Sequence, residues 1–593
     1  MGTGRWQRDA KVARAGSGDE KKFVHGEVGG RTAGLREVPS GEGWARFALE
    51  RTNDTPVPIR RILIVPARRR GRTGACPRPY SCRRRPTRSR RLGRPLVPRT
   101  PSQPAAAAPS PNSTPAARIS RRGVLGRSLL AAGGVALAGA ASSPAVGAPR
   151  RRSRPRNVIL VVSDGMSASV PGLTEDFSRL VRNGRSTRLA ELADRSETTQ
   201  GLLVTASLSS PVTDSAAASS AWASGSKVAN GSINQLPDGT RLVPIGPLAR
   251  AAGRRGGGVT TTRITHATPA AFAASVPSRT LEDQIAEQLL GIDVLMGGGR
   301  RHFDGVTRSD QLDLLARFRE NGYSIATEAS GLGQPKAGPF LGLFDDSHLP
   351  MTIDRRADPA LAASVPTLAA MTESALQRLT VDDRGFLLQV EGGRVDHAAH
   401  ANDAAGLLWD QLELDDALGV ALDFAASRGD TLVVFLSDHG NSNPGLSGTG
   451  PGYRRSAEAF ATLTQVTRSF EWMLPRLAAI ERSGGGDEAI AAFILEHTGS
   501  PSESRRLAPL RQALRGEPVD EANPQLANPQ GQLGRLLSGR FGIGWIGTSH
   551  TADWVTCLST GPGSEALEGL HTHDEVHAIL ADAMGVTHRN PTA

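Results

Sequence analysis

The sequence predicts an α/β protein with a central, mostly parallel sheet and helices on both of its faces. Three almost wholly apolar runs are typical of strands buried on both sides: Val158–Val162, Phe386–Val390 and Leu432–Leu436. Amphipathic stretches, typical of helices, lie between them at 280–290, 367–380 and 404–425. The alternation of such strands with helices indicates three layers: helix, sheet and helix.

The first 117 residues have a composition that does not favour a folded domain. They are rich in Arg, Pro, Ser and Ala, and their hydrophobic periodicity is weak. Residues 1–150 carry 30 Lys and Arg against 8 Asp and Glu, a net charge of +22, which leaves −10 for residues 151–593. We therefore expect 1–117 to be a disordered basic leader, absent from the mature protein or upstream of the true translation start. A basic tail that binds nucleic acid is the alternative, but for the rest of the chain we expect no nucleic-acid partner.

Residues 118–148 resemble a twin-arginine export signal. Arg121-Arg122 precede a short apolar run, Leu129–Ala141, and small residues follow as far as Ala148. The run is too short for an ordinary membrane span, and a chance arginine pair is the alternative reading. We expect a periplasmic or secreted protein, cleaved near Ala148, with residues 149–593 as its folded part and no membrane span. Only Cys557 lies in that part, which excludes an internal disulfide.

Each of the three predicted strands ends in residues that can bind a metal. The first continues into Asp164, the second into Glu391, and the third into Asp438 and His439. Open α/β sheets bind their ligands at the carboxyl ends of the strands. Three such ends, far apart in sequence, therefore indicate one shared site.

A second pair of possible ligands follows Glu391. Asp396 and His400 are four residues apart, so on a helix they share one face and can hold one ion. Two polar residues on a helix surface are the alternative. Asp438 and His439 are adjacent, and only a strand end or a turn could aim both of them inward. Each pair by itself is a weak signal.

The segment Thr213-Asp214-Ser215-Ala216-Ala217 predicts a serine at a helix N-terminus. The free N–H groups and the dipole of that terminus favour an anion. A serine nucleophile needs activation, and a metal ion can lower its pKa. The structural alternative is that Asp214 caps an ordinary helix. The G-x-S-x-G motif of ordinary α/β-hydrolases is absent from the sequence.

Taken together, five motifs resemble the successive signatures of alkaline phosphatases. They occur in the order of that family and span roughly residues 157 to 560: Asp164-Gly165-Met166, Thr213–Ala217, Glu391–His397, Asp438-His439 and Ser549-His550-Thr551-Ala552. The resemblance implies a three-layer α/β/α catalytic domain over 149–593 and hydrolysis of phosphate monoesters. Because members of the family often form dimers, a homodimer is a further expectation.

The resemblance also implies two Zn²⁺ ions, one Mg²⁺ ion and a ligand set. Asp396, His400 and His550 match the ligands of one zinc, and Asp164, Asp438 and His439 match those of the second. Asp164 would also bridge to a magnesium completed by Thr268 and Glu391. Arg279 matches the arginine that holds the phosphate oxygens, for which its planar fork is suited. Ser215 would be the nucleophile of a two-metal displacement that forms a phosphoserine, which water hydrolyses.

Two positions follow the animal-type variant of the family. His266 stands where some members carry Asp, and His397 stands where some carry Lys. A histidine in place of an aspartate removes an anion near the magnesium, so the resemblance supports magnesium less strongly than zinc. Mixed His and carboxylate ligands also suit other divalent metals.

Residues 441–545, between His439 and His550, are expected to form an inserted cap or rim over the site and to influence substrate preference. Two other functions stay open. A phosphodiesterase of the same superfamily would not need Arg279. A non-catalytic, metal-stabilised extracellular binding module would be favoured by loss of Ser215 or of several ligands, all of which are present.

Overall fold

The computed structural model describes residues 154–333 and 338–592, together with the backbone of three N-terminal strands. Met1–Leu137 and Ala138–Ala593 are separate units. In the first unit, β1 (Val24–Val28), β2 (Arg31–Val38) and β3 (Arg46–Leu49) form an antiparallel sheet that the sequence analysis did not predict. The export signal at 118–148 lies outside the described residues. The division into leader, signal and catalytic domain therefore stays a prediction.

The second unit is built on a ten-stranded sheet within its described part. Its strands and short ladders are β4 (Asn157–Ser163), β5 (Thr199–Val204), β6 (Arg255–Arg263), β7 (Val294–Gly298), β8 (Ser324–Ala326), β9 (Phe340–Leu343), β10 (Phe386–Gly392), β11 (Thr431–Ser437), β12 (Gly440–Asn441), β13 (Gly445–Leu446), β14 (Ile543–Gly544), β15 (His550–Thr551), β16 (Val555–Thr560) and β17 (Gly569–Thr572). The order in the large sheet is β17-β5-β16-β11-β4-β10-β6-β7-β9-β8. Only β16 runs antiparallel to its neighbours, β11 and β5, in that sheet.

The helices of the described part are α1 (Val170–Val181), α2 (Arg188–Asp194), α3 (Ser215–Ser224), α4 (Ile245–Ala251), α5 (Ala267–Ala271), α6 (Glu282–Gln288), α7 (Leu314–Glu320), α8 (Thr352–Ala357), α9 (Pro359–Ser364), α10 (Leu368–Leu379), α11 (Arg394–His400), α12 (Ala404–Arg428), α13 (Ser456–Ala461), α14 (Phe470–Arg482), α15 (Gly486–Thr498), α16 (Ser504–Leu514), α17 (Pro529–Phe541) and α18 (His573–Met584). The amphipathic stretches noted above correspond to α6, α10 and α12.

The sheet separates two hydrophobic cores. Alternate residues of β4 enter opposite cores, because successive side chains of a strand point to opposite faces. Ile159 and Val161 pack on the face that carries α1, α10 and α12, whereas Val158, Leu160 and Val162 pack on the face that carries α3, α5 and α18. All five side chains are buried. The predicted fold class, a mostly parallel sheet covered on both faces, is confirmed.

Helices α13 to α17 come from the stretch 441–545. Their buried apolar residues, among them Phe470, Met473, Ile490 and Leu533, join the core that contains α10 and α12. The insert therefore continues one layer of the domain. Among the residues that the structure describes, no helix is both long and apolar enough to cross a membrane. Cys557 is buried and free of any disulfide.

Candidate metal centre and active site

The site forms where three adjacent parallel strands end. Strand β4 pairs with β11 on one side and with β10 on the other, in register up to Ser163. This register brings Asp164, which follows β4, next to Glu391 near the end of β10 and to Asp438 and His439 after β11. All four side chains are buried. The sheet topology thus brings together the strand-end residues that the sequence analysis singled out.

Ser215 is the first residue of α3. Asp214 caps the helix, since its Oδ1 accepts from the amide of Ala217 at 3.0 Å. The hydroxyl of Ser215 lies 3.2 Å from Nε2 of His439 and is almost completely buried. Both alternatives considered for this motif therefore apply at once: Asp214 caps the helix, and Ser215 faces the residues at the strand ends.

Arg279 lies beside the start of α3. Its Nη1 donates to Oδ2 of Asp214 at 3.1 Å, and its Nη2 donates to Nε2 of His266 at 2.9 Å. Burial, and after it the charge of Arg279, lower the pKa of His266 well below its usual range. A neutral His266 can accept from Arg279, and the two contacts hold the guanidinium next to Ser215.

Asp396, His400 and His550 converge from α11 and β15. The Nε2 atoms of the two histidines are 2.9 Å apart, and each lies 3.5 Å from one carboxylate oxygen of Asp396. Nδ1 of His400 faces the carbonyl of Thr548 at 2.8 Å, and Nδ1 of His550 faces that of Thr213 at 2.9 Å. Because a carbonyl only accepts, both Nδ1 atoms carry the proton, and two Nε2 lone pairs face each other. A bound cation is the natural partner for that arrangement.

Asp164, Asp438 and His439 form a second group. Nε2 of His439 lies 3.0 Å from Asp438 and 3.7 Å from Asp164. Oδ1 of Asp438 is fixed by the amide of Gly165 at 2.9 Å. The ring of His439 stacks on that of His550 with centroids 3.6 Å apart, so the first and second groups are contiguous. Ligand atoms of Asp396, His439 and His550 also lie within 4.8 Å of one another.

A third group contains Asp164, His266 and Glu391, whose ligand atoms lie within 4.8 Å of one another. The hydroxyl of Thr268, on α5, is 3.5 Å from Oδ2 of Asp164. Oε2 of Glu391 accepts from Thr260 at 2.5 Å. His266 therefore lies beside the predicted set of Asp164, Thr268 and Glu391.

The electrostatics of the three groups suit cations. Oδ1 of Asp164 and Oε1 of Glu391 are buried and have no hydrogen-bond partner among the described residues. Burial, and after it the neighbouring carboxylates, raise the pKa of Asp164, and burial raises the pKa of Glu391 to about 7. Burial also acts to raise the pKa of Asp396. The electrostatic effect of His400 and His550 is larger, however, so the pKa of Asp396 is lowered. A cluster of buried carboxylates with orphaned oxygens is stabilised by metal ions.

Several supporting residues were not predicted from the sequence. Asn441 donates through Nδ2 to Oδ1 of Asp396 at 2.7 Å, Thr260 orients Glu391, and Arg394 lies 2.5 Å from Nδ1 of His397. His348 packs its ring against those of His266 and His397 at 5.4 and 4.4 Å. The one available signal was position, since Asn441 lies two residues after the predicted ligand His439, whereas Thr260 lies inside β6, eight residues from the nearest predicted ligand, Thr268. Nothing in the sequence pointed to His348.

Comparison with known proteins shows the same family that the five motifs indicated. The alkaline phosphatase family model matches residues 155–586. Alkaline phosphatase 3 of Bacillus subtilis is 29% identical over 431 residues, which cover 71% of this chain and 87% of the relative. Streptomycin-6-phosphate phosphatase of Streptomyces griseus is 32% identical over 440 residues, covering 65% and 92%.

Solved structures give the same result. The crystal structure of Thermus thermophilus alkaline phosphatase matches with a TM-score of 0.69 and 35% identity, covering 74% of this chain and 93% of that one. The large, mostly parallel sheet with helices around it is therefore the fold of that enzyme as well. The chain belongs to the alkaline phosphatase family, and it is a phosphatase that acts on phosphate monoesters.

Proposed function

We propose that the protein hydrolyses phosphate monoesters through a phosphoserine at Ser215. One observation carries this proposal: the Ser215 hydroxyl lies at the N-terminus of α3, 3.2 Å from His439 and beside Arg279. In the first step the serine oxygen bonds to phosphorus while the bond to the leaving-group oxygen breaks. In the second step water attacks phosphorus and releases phosphate and the free serine.

Arg279 and α3 stabilise the charge of the transferring group. The guanidinium, held by Asp214 and His266, offers a fixed fork of N–H donors to two phosphoryl oxygens. The free N–H groups of the first turn of α3 add a positive partial charge. A monoester dianion fits these donors better than a diester, which carries a single negative charge.

The proposed cofactors are two zinc ions and one magnesium ion. Asp396, His400 and His550 would hold the first zinc, and Asp164, Asp438 and His439 the second. Asp164, Thr268 and Glu391, with His266 beside them, would hold the magnesium. When bound, such ions supply Lewis acidity that lowers the pKa of hydroxyl and water oxygens at neutral to alkaline pH.

The test compares a chromogenic phosphate monoester with its diester at alkaline pH. We expect monoester turnover that is lost in Ser215→Ala, lost with a chelator and restored by zinc. Ser427→Ala, at an exposed serine of α12, is the control and should keep its turnover. Diester turnover with little monoester turnover would instead indicate a phosphodiesterase. No turnover with any divalent metal would favour a metal-stabilised binding module.

We further propose export by the twin-arginine segment 118–148 to the periplasm or the exterior. The arginine pair before a short apolar run supports this. Lys replacement of both Arg121 and Arg122 should retain the activity inside the cell, as measured in fractionated cells. If the variant and the wild type had equal activity in the exported fraction, this would contradict the assignment of 118–148 as an export signal.

A homodimer is also proposed. Leu202 of β5 and Leu570 of β17 are direct neighbours in the ladder and are 43% and 51% exposed, and Trp554, just before β16, is 53% exposed. Such an apolar edge suits association with a second copy. Light scattering should give twice the chain mass, and Leu202→Glu with Leu570→Glu should give the monomer. A wild-type monomer at micromolar concentration would contradict it.

A further inference from the structure

The insert reaches the proposed active site through the first turn of α14. Ser469 caps this helix, and its hydroxyl and amide donate to Asp354 at 2.5 and 3.0 Å. The amide of Phe470 donates to Asp403 at 2.7 Å, and Asp403 also caps α12. Both carboxylates are buried. The start of α14 is therefore fixed relative to the end of α11 and the start of α12.

The next residue of α14, Glu471, pairs with a buried arginine of α11. Oε2 of Glu471 lies 2.5 Å from Nη2 of Arg394, whose side chain is 2% exposed. In the described part of the chain, Glu471 is the one carboxylate within salt-bridge distance of this guanidinium. Asp410 also interacts electrostatically with Arg394, but only Glu471, itself 61% exposed, forms a salt bridge with it among the described residues, so Glu471 fixes the position of the guanidinium.

The other contact of Arg394 fixes the tautomer of His397. Its Nη1 lies 2.5 Å from Nδ1 of that ring. A guanidinium has donors only, so Nδ1 accepts and the ring proton is on Nε2. Nε2 makes no hydrogen bond to a described residue, and it is not among the buried atoms that lack a partner. This N–H donor is therefore open to solvent or to a ligand.

His397 lies next to the proposed phosphate site. It follows Asp396 in α11, and the centroid of its ring is 5.5 Å from that of His266, which accepts from Arg279. The ring of His348 packs on it at 4.4 Å and limits its rotation. The ring of His397 thus lies one histidine away from the guanidinium of Arg279.

We propose that Glu471, an insert residue, is a positioning residue for phosphate binding. It holds Arg394 against His397, so that His397 keeps the tautomer that presents Nε2–H to a phosphoryl oxygen. The insert then acts within the active site and not only at its rim. The inference rests on the proposed phosphatase site and adds a chain of contacts, from Glu471 through Arg394 to His397, that includes no proposed metal ligand.

The test replaces Glu471 by Gln, which keeps its shape and removes its charge. The matched control is Glu488→Gln, an exposed glutamate in the first turn of α15. The full chain is saturated with zinc and magnesium, and binding of inorganic phosphate is measured by calorimetry. We expect Glu471→Gln to weaken phosphate binding about tenfold, as for one charge-assisted hydrogen bond, and the control to bind like the wild type.

Three further readouts separate positioning from a general loss of structure. In Glu471→Gln, the KM for p-nitrophenyl phosphate should rise with the phosphate Kd, kcat should change less, and zinc content should stay that of the wild type. Glu471→Asp should recover most of the phosphate affinity. In ¹⁵N-histidine-labelled protein, the His397 resonance, assigned with His397→Gln, should report an Nε2-protonated ring that becomes a tautomer mixture in Glu471→Gln.

Equal phosphate binding by Glu471→Gln and the control would overturn the inference. So would a loss of affinity that parallels a loss of zinc, since that would indicate a structural role. A wild-type protein that neither turns over the monoester nor binds phosphate would instead count against the proposed function, so the two failures are distinguishable.

Discussion

At the scale of single residues, the site is defined by polar atoms that protein groups leave unpaired. Nε2 of His400 and Nε2 of His550 face each other at 2.9 Å, while a carbonyl fixes the proton of each ring on Nδ1. One oxygen of Asp164 and one of Glu391 are buried without a donor among the described residues. Buried polar groups normally find partners, so these atoms mark where cations are expected. The residues that orient these atoms should affect metal binding nearly as much as the ligands do.

Asn441 offers one test of that statement. Its amide donates to Oδ1 of Asp396 at 2.7 Å and is buried. We expect Asn441→Ala to lower zinc affinity about tenfold or more, because the carboxylate loses the group that orients it. Competition with a chromophoric chelator measures the affinity. Asn321→Ala, on the exposed end of α7, is the control, and equal affinity in both variants would contradict the role of Asn441.

His266 offers a second test. A neutral imidazole has one nitrogen lone pair available. In His266 this lone pair accepts the hydrogen bond from Arg279, so it cannot bind a cation at the same time. His266→Asp should lower the Mg²⁺ concentration needed for half-maximal stabilisation roughly tenfold, because it adds a carboxylate to Asp164 and Glu391. Thermal melts at increasing Mg²⁺ give this concentration. An unchanged midpoint would argue against a magnesium site at the third group.

At the scale of elements, buried acids join the long helix α12 to its surroundings. Asp403 caps α12 and accepts from the first turn of α14, while Asp410, inside α12, accepts from the amide and hydroxyl of Thr352 in α8. Burial raises the pKa of both carboxyls to about 7. These contacts set the position of α11, which precedes α12 and carries Asp396 and His400.

The raised pKa of Asp410 makes stability depend on pH. The folded-state pKa of about 7 exceeds the unfolded value of 3.8, so the folded state binds more protons between these values. The contribution is complete below about pH 4 and is lost as the pH rises through about 7. Asp410→Asn should therefore unfold at higher urea than the wild type at pH 8.5, with little difference near pH 4. Asp176→Asn, at an exposed residue of α1, should show no such difference. An equal effect of the two substitutions would mean that Asp410 is not the source of this pH dependence.

At the scale of the whole molecule, the candidate site combines residues from elements that are far apart in the chain. The proposed ligands come from the ends of β4, β10 and β11, from α5, α11 and β15, and the proposed nucleophile comes from α3. The two cores on either side of the sheet hold these elements in register. Since four buried carboxylates meet there, we expect the stability of the entire domain to depend on bound metal.

Metal removal tests this dependence. A ligand present at a thousandfold its Kd adds about 4 kcal/mol to the free energy of unfolding. A chelator should therefore lower Tm by at least about 5 °C, and zinc added in excess should restore it. Differential scanning calorimetry measures both steps. An unchanged Tm after verified metal loss would mean that the carboxylates are accommodated without cations.

Much of this arrangement could be predicted from sequence because the signals were local. The apolar runs of β4, β10 and β11 each end within a few residues of an acid, and the spacing of Asp396 and His400 matches one helix face. His348 could not be found in this way, since it lies in a loop and reaches His397 only through the packing of distant segments. The partner of Arg394 is likewise 77 residues away in the chain.

The sequence by itself determined the fold class, the family and the chemical types of the candidate ligands. These follow from patterns that extend over a few residues, namely apolar runs, helix periodicity and short motifs. The tertiary structure alone decided which side chains contact one another: the opposed Nε2 atoms of His400 and His550, the position of His266 beside Asp164 and Glu391, and the pair of Glu471 with Arg394. The physical reason is that these contacts depend on how strands far apart in the chain align and on how the insert packs, and no local pattern encodes either.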